Sequence, residues 1–154
     1  MSVKASMKKQ VITVLDTDDL RIAAKLFVKH HVGMLPVINA EGKLVGVLQL
    51  RDLLTLALPD FTRLMEDFDF VVSFGAANSI QPSKEDISKK VSEVMEPPVC
   101  VDDSCGLSRA FALLHHHNLT DLPVVDKENC LVGIASRVDV GTALLKKWEI
   151  ISGD

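Results

Sequence analysis

The chain has 154 residues, of which 47% are hydrophobic, and its 17 basic and 21 acidic side chains give a formal net charge of −4. This length fits one compact domain or two small intertwined halves, and the acidic balance argues against a function that depends on gripping nucleic-acid backbones. The apolar composition predicts that some surface faces a partner or a second copy, so we expect a homodimer.

The cysteines and the N-terminus bear on the compartment. Cys100, Cys105 and Cys130 are an odd set with no CxxC spacing, which fits free thiols in a reducing environment. The N-terminus lacks the apolar core of a signal peptide, and no apolar run approaches the roughly 20 residues of a membrane span. The sequence therefore predicts a cytoplasmic protein.

The first 58 residues predict a strand, a helix, a two-stranded hairpin and a second helix. The oxygen-rich run Asp16–Asp19 suits a helix N-terminus, and apolar side chains then recur at helical spacing. The turn Asn39–Lys43 contains the glycine that a tight hairpin requires, so the strands beside it are expected to be antiparallel. In chain order the predicted elements are a strand at Val11–Leu15, a helix from Leu20 to about His31, strands at Leu35–Ile38 and Leu44–Leu48, and a helix at Arg51–Leu58.

Residues 59–83 depart from this pattern and are predicted to form a short amphipathic helix followed by a connecting loop. Its aromatic side chains stand at roughly helical spacing among acidic residues: Phe61, Phe68 and Phe70. Such an insert either covers a core face or contacts a second copy or a partner, and the sequence leaves both readings open. A helix capped by Ser83 or Ser79 is then expected to run to about Met95.

The second half of the chain repeats the first in one register. Gly133 follows Gly46 by 133 − 46 = 87 residues, and the same offset pairs Pro36 with Pro123 and Asp52 with Asp139. Because no gap is needed from Ile12 to Leu58, the chain is predicted to be a tandem duplication of a β-α-β-β-α unit. We expect an α+β fold of two units, 1–58 and 84–154, packed sheet to sheet with pseudo-twofold symmetry.

A polar side chain and a carboxylate stand where each repeat passes from a buried strand to a helix. In the second repeat these are Ser136 and Asp139, and in the first repeat Gln49 and Asp52 occupy the same positions. A carboxylate accepts hydrogen bonds from both hydroxyls of a diol, so the junction is a candidate polyol site. The alternative reading is a helix N-cap with no ligand, and both roles can coexist.

These residues resemble a known family, the paired cystathionine-β-synthase (CBS) domain module. The resemblance rests on the helix and methionine of Val91–Met95, on the strand start Leu122–Asp126 and on the ending Val132–Asp139, with repeats at 35–38 and 45–52. It covers almost the whole chain outside the 59–83 insert. It implies two tandem CBS units in one intertwined module.

The resemblance also implies a ligand. Members of the family commonly bind AMP, ADP, ATP or S-adenosylmethionine between the paired units, with Ser136 and Asp139 on the ribose. It implies further contacts from the backbone near Leu122 and Val124, from Cys100 beside the adenine, and from Arg137 toward phosphate. Because Gln49 is bulkier than serine, the second repeat is expected to form the better site, and Gln49 and Asp52 the weaker one.

The expected function is therefore a regulatory or sensor module that is not an enzyme. No nucleophile elbow, phosphate-binding loop or Ser-His-Asp order is present, and the run His115–His117 does not have zinc-site spacing. Neighbouring helical residues point about 100° apart, so these histidines are read as solvated or interface residues rather than a metal centre. The alternative function is a dimerisation or docking module, with a regulated enzyme or transporter as partner and vestigial clefts.

Overall fold

The computed structural model describes residues 1–57 and 81–151. The elements in these residues are β1 (Val14–Leu15), α1 (Leu20–His30), β2 (Met34–Ile38), β3 (Leu44–Gln49), α2 (Leu50–Leu54), α3 (Lys84–Ile87), α4 (Val91–Val94), β4 (Val101–Asp102), α5 (Leu107–His116), β5 (Asp121–Val125), β6 (Leu131–Ser136) and α6 (Arg137–Leu145), with 3-10 turns at Val3–Ala5 and Glu149–Ile151. The predicted 59–83 insert, including Phe61, Phe68 and Phe70, lies almost entirely outside the described residues. Its role and the proposed domain limits stay predictions.

Two three-stranded sheets form the frame, one from each repeat. In the first sheet β1 runs parallel to β2, and β2 pairs with β3 in antiparallel fashion; β4, β5 and β6 repeat this arrangement. Asp19 caps α1 by accepting a hydrogen bond from the Ile22 amide at 3.0 Å. The predicted α+β fold and the single-register repeat are confirmed, since α5, β5, β6 and α6 begin at the positions that the offset requires.

The region before β4 differs from its prediction. A single helix from residue 84 to about Met95 was expected, but the chain forms α3 and α4 with a break between them. The break is held by backbone bonds to the start of α1 and the loop before it: Leu20 donates to the Lys89 carbonyl at 2.9 Å and Val91 donates to the Asp18 carbonyl at 2.8 Å. Ser83 caps α3 as predicted, because its hydroxyl accepts from the Asp86 amide at 3.0 Å.

The two repeats meet around a pseudo-twofold axis at their hairpin turns. The Leu44 amide donates to the Asn129 carbonyl at 3.0 Å, and the Leu131 amide donates to the Gly42 carbonyl at 3.3 Å. These four residues are two pairs of equivalents, so each copy makes toward the other the contact that it receives. Such reciprocity is the mark of a twofold contact.

The segments that precede the two repeats are exchanged between them. Val3 is fully buried in the core of the second repeat, whereas Val91 is fully buried in the core of the first. The N-terminal segment then pairs with β6, as Lys8 and Ile134 exchange backbone hydrogen bonds of 2.8 and 2.9 Å. This crossing brings the N-terminal residues to the ligand-site candidates of the second repeat, more than a hundred residues away in sequence.

Candidate functional site

The junction of β6 and α6 is organised by Ser136 and Asp139. The Ser136 hydroxyl accepts from the Asp139 amide at 3.0 Å, and Asp139 Oδ2 accepts from the Ser136 amide at 3.1 Å. This reciprocal pair satisfies two of the amides that a helix start leaves without partners. Asp139 Oδ1 makes no hydrogen bond within the part of the chain that the structure describes. The N-cap role is therefore present, and one carboxylate oxygen remains for a ligand.

Asp139 faces a cleft between the two repeats, which we call the second cleft. The cleft has a volume of about 150 Å³, and its walls come from both repeats and from the N-terminal segment. The lining residues are Lys8, Gln10, Val11, Ile12, Val32, Met34, Asp121, Ile134 and Asp139. The lining combines apolar side chains with two carboxylates and one ammonium group, a combination that suits a ligand with a flat apolar part and a polar part.

The pseudo-twofold axis generates an equivalent first cleft of about 140 Å³. Its lining residues are Met34, Val47, Gln49, Arg51, Glu96, Pro97, Val99, His117, Leu119 and Asp121. Met34 and Asp121 are equivalent residues of β2 and β5, and each of them lines both clefts. The two clefts are therefore neighbours that share a wall.

Asp52, the repeat equivalent of Asp139, does not line the first cleft but interacts with Glu96, which does. Asp52 Oδ2 accepts from the Gln49 amide at 2.8 Å. Burial raises the pKa of Asp52 to about 6, and a hydrogen bond and charge repulsion from Glu96 add to the rise. The two carboxylate oxygens of Glu96, Oε1 and Oε2, also accept hydrogen bonds from Arg51 Nη2 at 3.1 and 3.5 Å. The Asp52 carboxyl group is thus engaged with the Gln49 amide and with Glu96, whereas the Asp139 carboxylate accepts from the Ser136 amide alone among the described residues.

Six of the eight predicted site residues do not line the two clefts: Ser136, Asp52, Leu122, Val124, Arg137 and Cys100. The side chains of Leu122 and Val124 are fully buried in the core of the second repeat. The Arg137 guanidinium donates to the carbonyls of Leu119 and Leu114 and to Asn118 Oδ1, at 2.5, 3.2 and 3.2 Å. The Arg137 side chain therefore satisfies backbone carbonyls at and just after the C-terminal end of α5. Ligand contact by these residues stays a prediction.

Cys100 lies in a separate depression. This depression is larger, at about 370 Å³, but residues 100–109 alone line it. Burial raises the pKa of the Cys100 thiol, so the thiolate is disfavoured. A role for Cys100 beside a ligand also stays a prediction.

Sequence reasoning missed Lys8, Glu96 and Asp121. A signal for the first two was available, because each follows a methionine, Met7 or Met95, at the entrance to its repeat. Nothing in the sequence indicated that the two methionine segments exchange sheets. Within residues 1–57 and 81–151, no group of three or more His, Cys, Asp or Glu side chains could hold a metal ion.

The fold and the clefts define a class of protein: a tandem module with two clefts that residues of both repeats line. The chain belongs to the CBS domain family, whose model matches residues 2–58 and 91–146. The family predicted from the sequence is thus confirmed. No helix among the described residues has the length and apolar character to cross a bilayer.

Several proteins resemble this chain along nearly all of its length. An uncharacterized protein of Methanocaldococcus jannaschii is 31% identical over 156 residues, covering 94% of this chain and 92% of that protein. A CBS domain-containing protein of Dictyostelium discoideum is 31% identical over 148 residues, covering 96% and 93%. The crystal structure of Arabidopsis thaliana CBSX2 in complex with AMP matches with a TM-score of 0.70 and 30% identity, covering 94% of this chain and 96% of that one.

Proposed function

We propose that this chain is a regulatory, non-catalytic module that binds an adenosine-containing ligand in the second cleft. The observation that carries the proposal is Asp139, whose Oδ1 is left without a protein partner in a cleft that both repeats line. A ribose offers two adjacent hydroxyl donors, and a carboxylate is an acceptor that can take both. Charge-assisted hydrogen bonds of this kind contribute roughly 1.5–3 kcal/mol each.

The apolar lining residues of the second cleft favour the binding of an adenine. Ile12, Val32 and Ile134 present hydrocarbon surface to the cleft, and a flat base that covers this surface removes it from water, which is favourable. The enclosed volume is below the roughly 300 Å³ at which small-molecule pockets usually begin. A mononucleotide would therefore fill the cleft and keep part of its surface in solvent.

AMP is the first ligand to test, because CBSX2 was crystallised in complex with AMP and shares 30% of its residues with this chain. ADP, ATP and S-adenosylmethionine contain the same adenosine group and are the next candidates. The ligand is proposed to regulate through geometry. Since the cleft contains residues of both repeats, a ligand that touches both stabilises one relative arrangement of them.

The direct test is Asp139→Asn, measured by isothermal titration calorimetry with AMP. Asparagine can still cap a helix, so the fold should be retained, but the charge that holds the ribose is lost. We expect AMP to bind at least about tenfold more weakly, as a loss of about 1.5 kcal/mol implies.

The matched control is Asp52→Asn, the same substitution at the equivalent position of the first repeat. It should leave the tightest AMP site unchanged. An unaltered dissociation constant for Asp139→Asn, in a variant that unfolds at the wild-type temperature, would place the ligand elsewhere. No heat and no thermal shift with AMP, ADP, ATP or S-adenosylmethionine at millimolar concentration would refute the proposal as a whole.

A further inference from the structure

We infer that the two clefts differ in the ligand charge that they accept. The second cleft takes a phosphorylated adenosine ligand, with Lys8 as the phosphate-binding residue, whereas Glu96 at the equivalent position makes the first cleft unfavourable for phosphate. This inference rests on the proposed function, since it assigns ligand chemistry to the same clefts.

The equivalence of Lys8 and Glu96 follows from their backbone contacts. Lys8 exchanges two hydrogen bonds with Ile134 of β6, at 2.8 and 2.9 Å. Glu96 exchanges two hydrogen bonds with Val47 of β3, also at 2.8 and 2.9 Å. Val47 and Ile134 are repeat equivalents, so the pseudo-twofold axis places a cation at one cleft where it places an anion at the other.

In the second cleft the Lys8 ammonium group is available to bind a phosphate. Lys8 is exposed and lines the cleft, and its ammonium group forms no ion pair within the described residues. The other charged groups of this cleft are Asp121 and Asp139, whose carboxylates suit hydroxyl donors rather than phosphate. A lysine ammonium binds phosphate as a point charge with three donors. The Arg137 guanidinium, by contrast, is occupied by three oxygen acceptors of α5 and the residues after it.

In the first cleft the cation is already paired. Arg51 donates to both oxygens of Glu96. A phosphate entering this cleft would have to displace Glu96 from Arg51, whereas the Asp121 carboxylate lines both clefts and does not distinguish them. The negative charges of a phosphate and of Glu96 repel each other, and partial burial weakens the screening of this repulsion by solvent. The remaining titratable group of the cleft is His117.

The test compares AMP with adenosine by isothermal titration calorimetry at pH 8, where an ordinary histidine is uncharged. Lys8→Glu should bind AMP about tenfold more weakly and adenosine within twofold of wild type, since only the phosphate meets the changed charge. Lys9→Glu is the matched control, because Lys9 is exposed, adjacent and absent from both clefts, and the change in net charge is the same. It should change neither affinity more than twofold.

A second variant tests the first cleft. Glu96→Lys frees Arg51 and adds a cation, so the number of AMP molecules bound per chain should rise from one to two. The inference is overturned if Lys8→Glu and Lys9→Glu weaken AMP equally, if Lys8→Glu weakens adenosine as much as AMP, or if wild type already binds two AMP molecules of similar affinity. Failure of wild type to bind either AMP or adenosine is a different result, which refutes the proposed function itself. Lys8→Gln, with the charge removed rather than reversed, should fall between wild type and Lys8→Glu.

Discussion

Replacing Gly133 with alanine tests whether the segments that precede the two repeats are exchanged between them, an arrangement on which both clefts depend. A Cβ atom at Gly133 would lie 2.9 Å from the Lys8 carbonyl oxygen and 2.9 Å from Met7 Cγ. This carbonyl accepts from the Ile134 amide of β6, and the Lys8 amide donates back to the Ile134 carbonyl, so the Lys8 carbonyl cannot move away freely. Forcing an extra methyl group into such a contact costs about 1–3 kcal/mol of unfolding free energy.

The chain supplies a control for this substitution. Gly141 lies in α6, and a Cβ atom there would have no neighbour within 4 Å. Alanine is a better helix former than glycine, so Gly141→Ala should raise the unfolding free energy by about 0.5–1 kcal/mol. The same chemical change is therefore expected to have opposite signs at two positions eight residues apart in a single repeat.

Urea denaturation at constant temperature gives the comparison. The midpoint should fall for Gly133→Ala and rise for Gly141→Ala, with the slope unchanged. In a chain of this size, a thermal melt should shift by about 2–4 °C per kcal/mol. Gly46→Ala is a second case, because its Cβ atom would lie 3.0 Å from the Glu96 carbonyl oxygen and 2.5 Å from Met95 Sδ.

A double variant separates the side-chain part of the clash from the backbone part. Met7→Ala combined with Gly133→Ala should recover part of the lost stability, because the methionine can no longer collide, while the Lys8 carbonyl still does. If Gly133→Ala were as stable as wild type, the N-terminal segment would not lie on β6. The placement of Lys8 beside Asp139 would then be wrong too.

Two further predictions concern the charged groups around the clefts. Because the pKa of Asp52 is raised from 3.8 to about 6, the folded state holds its proton more tightly than the unfolded chain; that stabilisation is complete below about pH 4 and is lost as the pH rises through 6. Between pH 4 and 7 the wild type should lose on the order of 1 kcal/mol of unfolding free energy relative to Asp52→Asn, a magnitude reduced for screening by solvent. Parallel profiles of unfolding free energy against pH for the two proteins would contradict this. Arg137→Met keeps the hydrocarbon stem but leaves the Leu119 carbonyl without this donor and the Leu114 carbonyl with the Leu119 amide alone, so urea denaturation should show a loss of about 1–2 kcal/mol. A loss below about 0.5 kcal/mol would mean that solvent replaces these hydrogen bonds.

Much of the fold could be predicted because its signals are local. Apolar spacing predicted α1, and the glycine in the Asn39–Lys43 turn predicted the hairpin. The comparison of the chain with itself predicted the second repeat from the first. The prediction of one helix over 84–95 was wrong. Its local signals favoured a continuous helix, but the Lys89 carbonyl accepts from the Leu20 amide of α1 and the Val91 amide donates to the Asp18 carbonyl. No pattern within a helix-sized window reports such a contact.

The candidate site divides in the same way. By itself the sequence determined that Asp139 stands at a strand-to-helix junction, because the apolar run, the serine and the carboxylate lie within one short stretch. Only the tertiary structure decided that Lys8 lines the same cleft as Asp139 and that Glu96 interacts with Asp52. The physical reason is that an apolar residue such as Val3 or Val91 must be buried, but hydrophobic burial has no direction and does not specify which of two similar sheets receives it. The choice of sheet, and with it the charge of each cleft, follows from the packing of the whole chain.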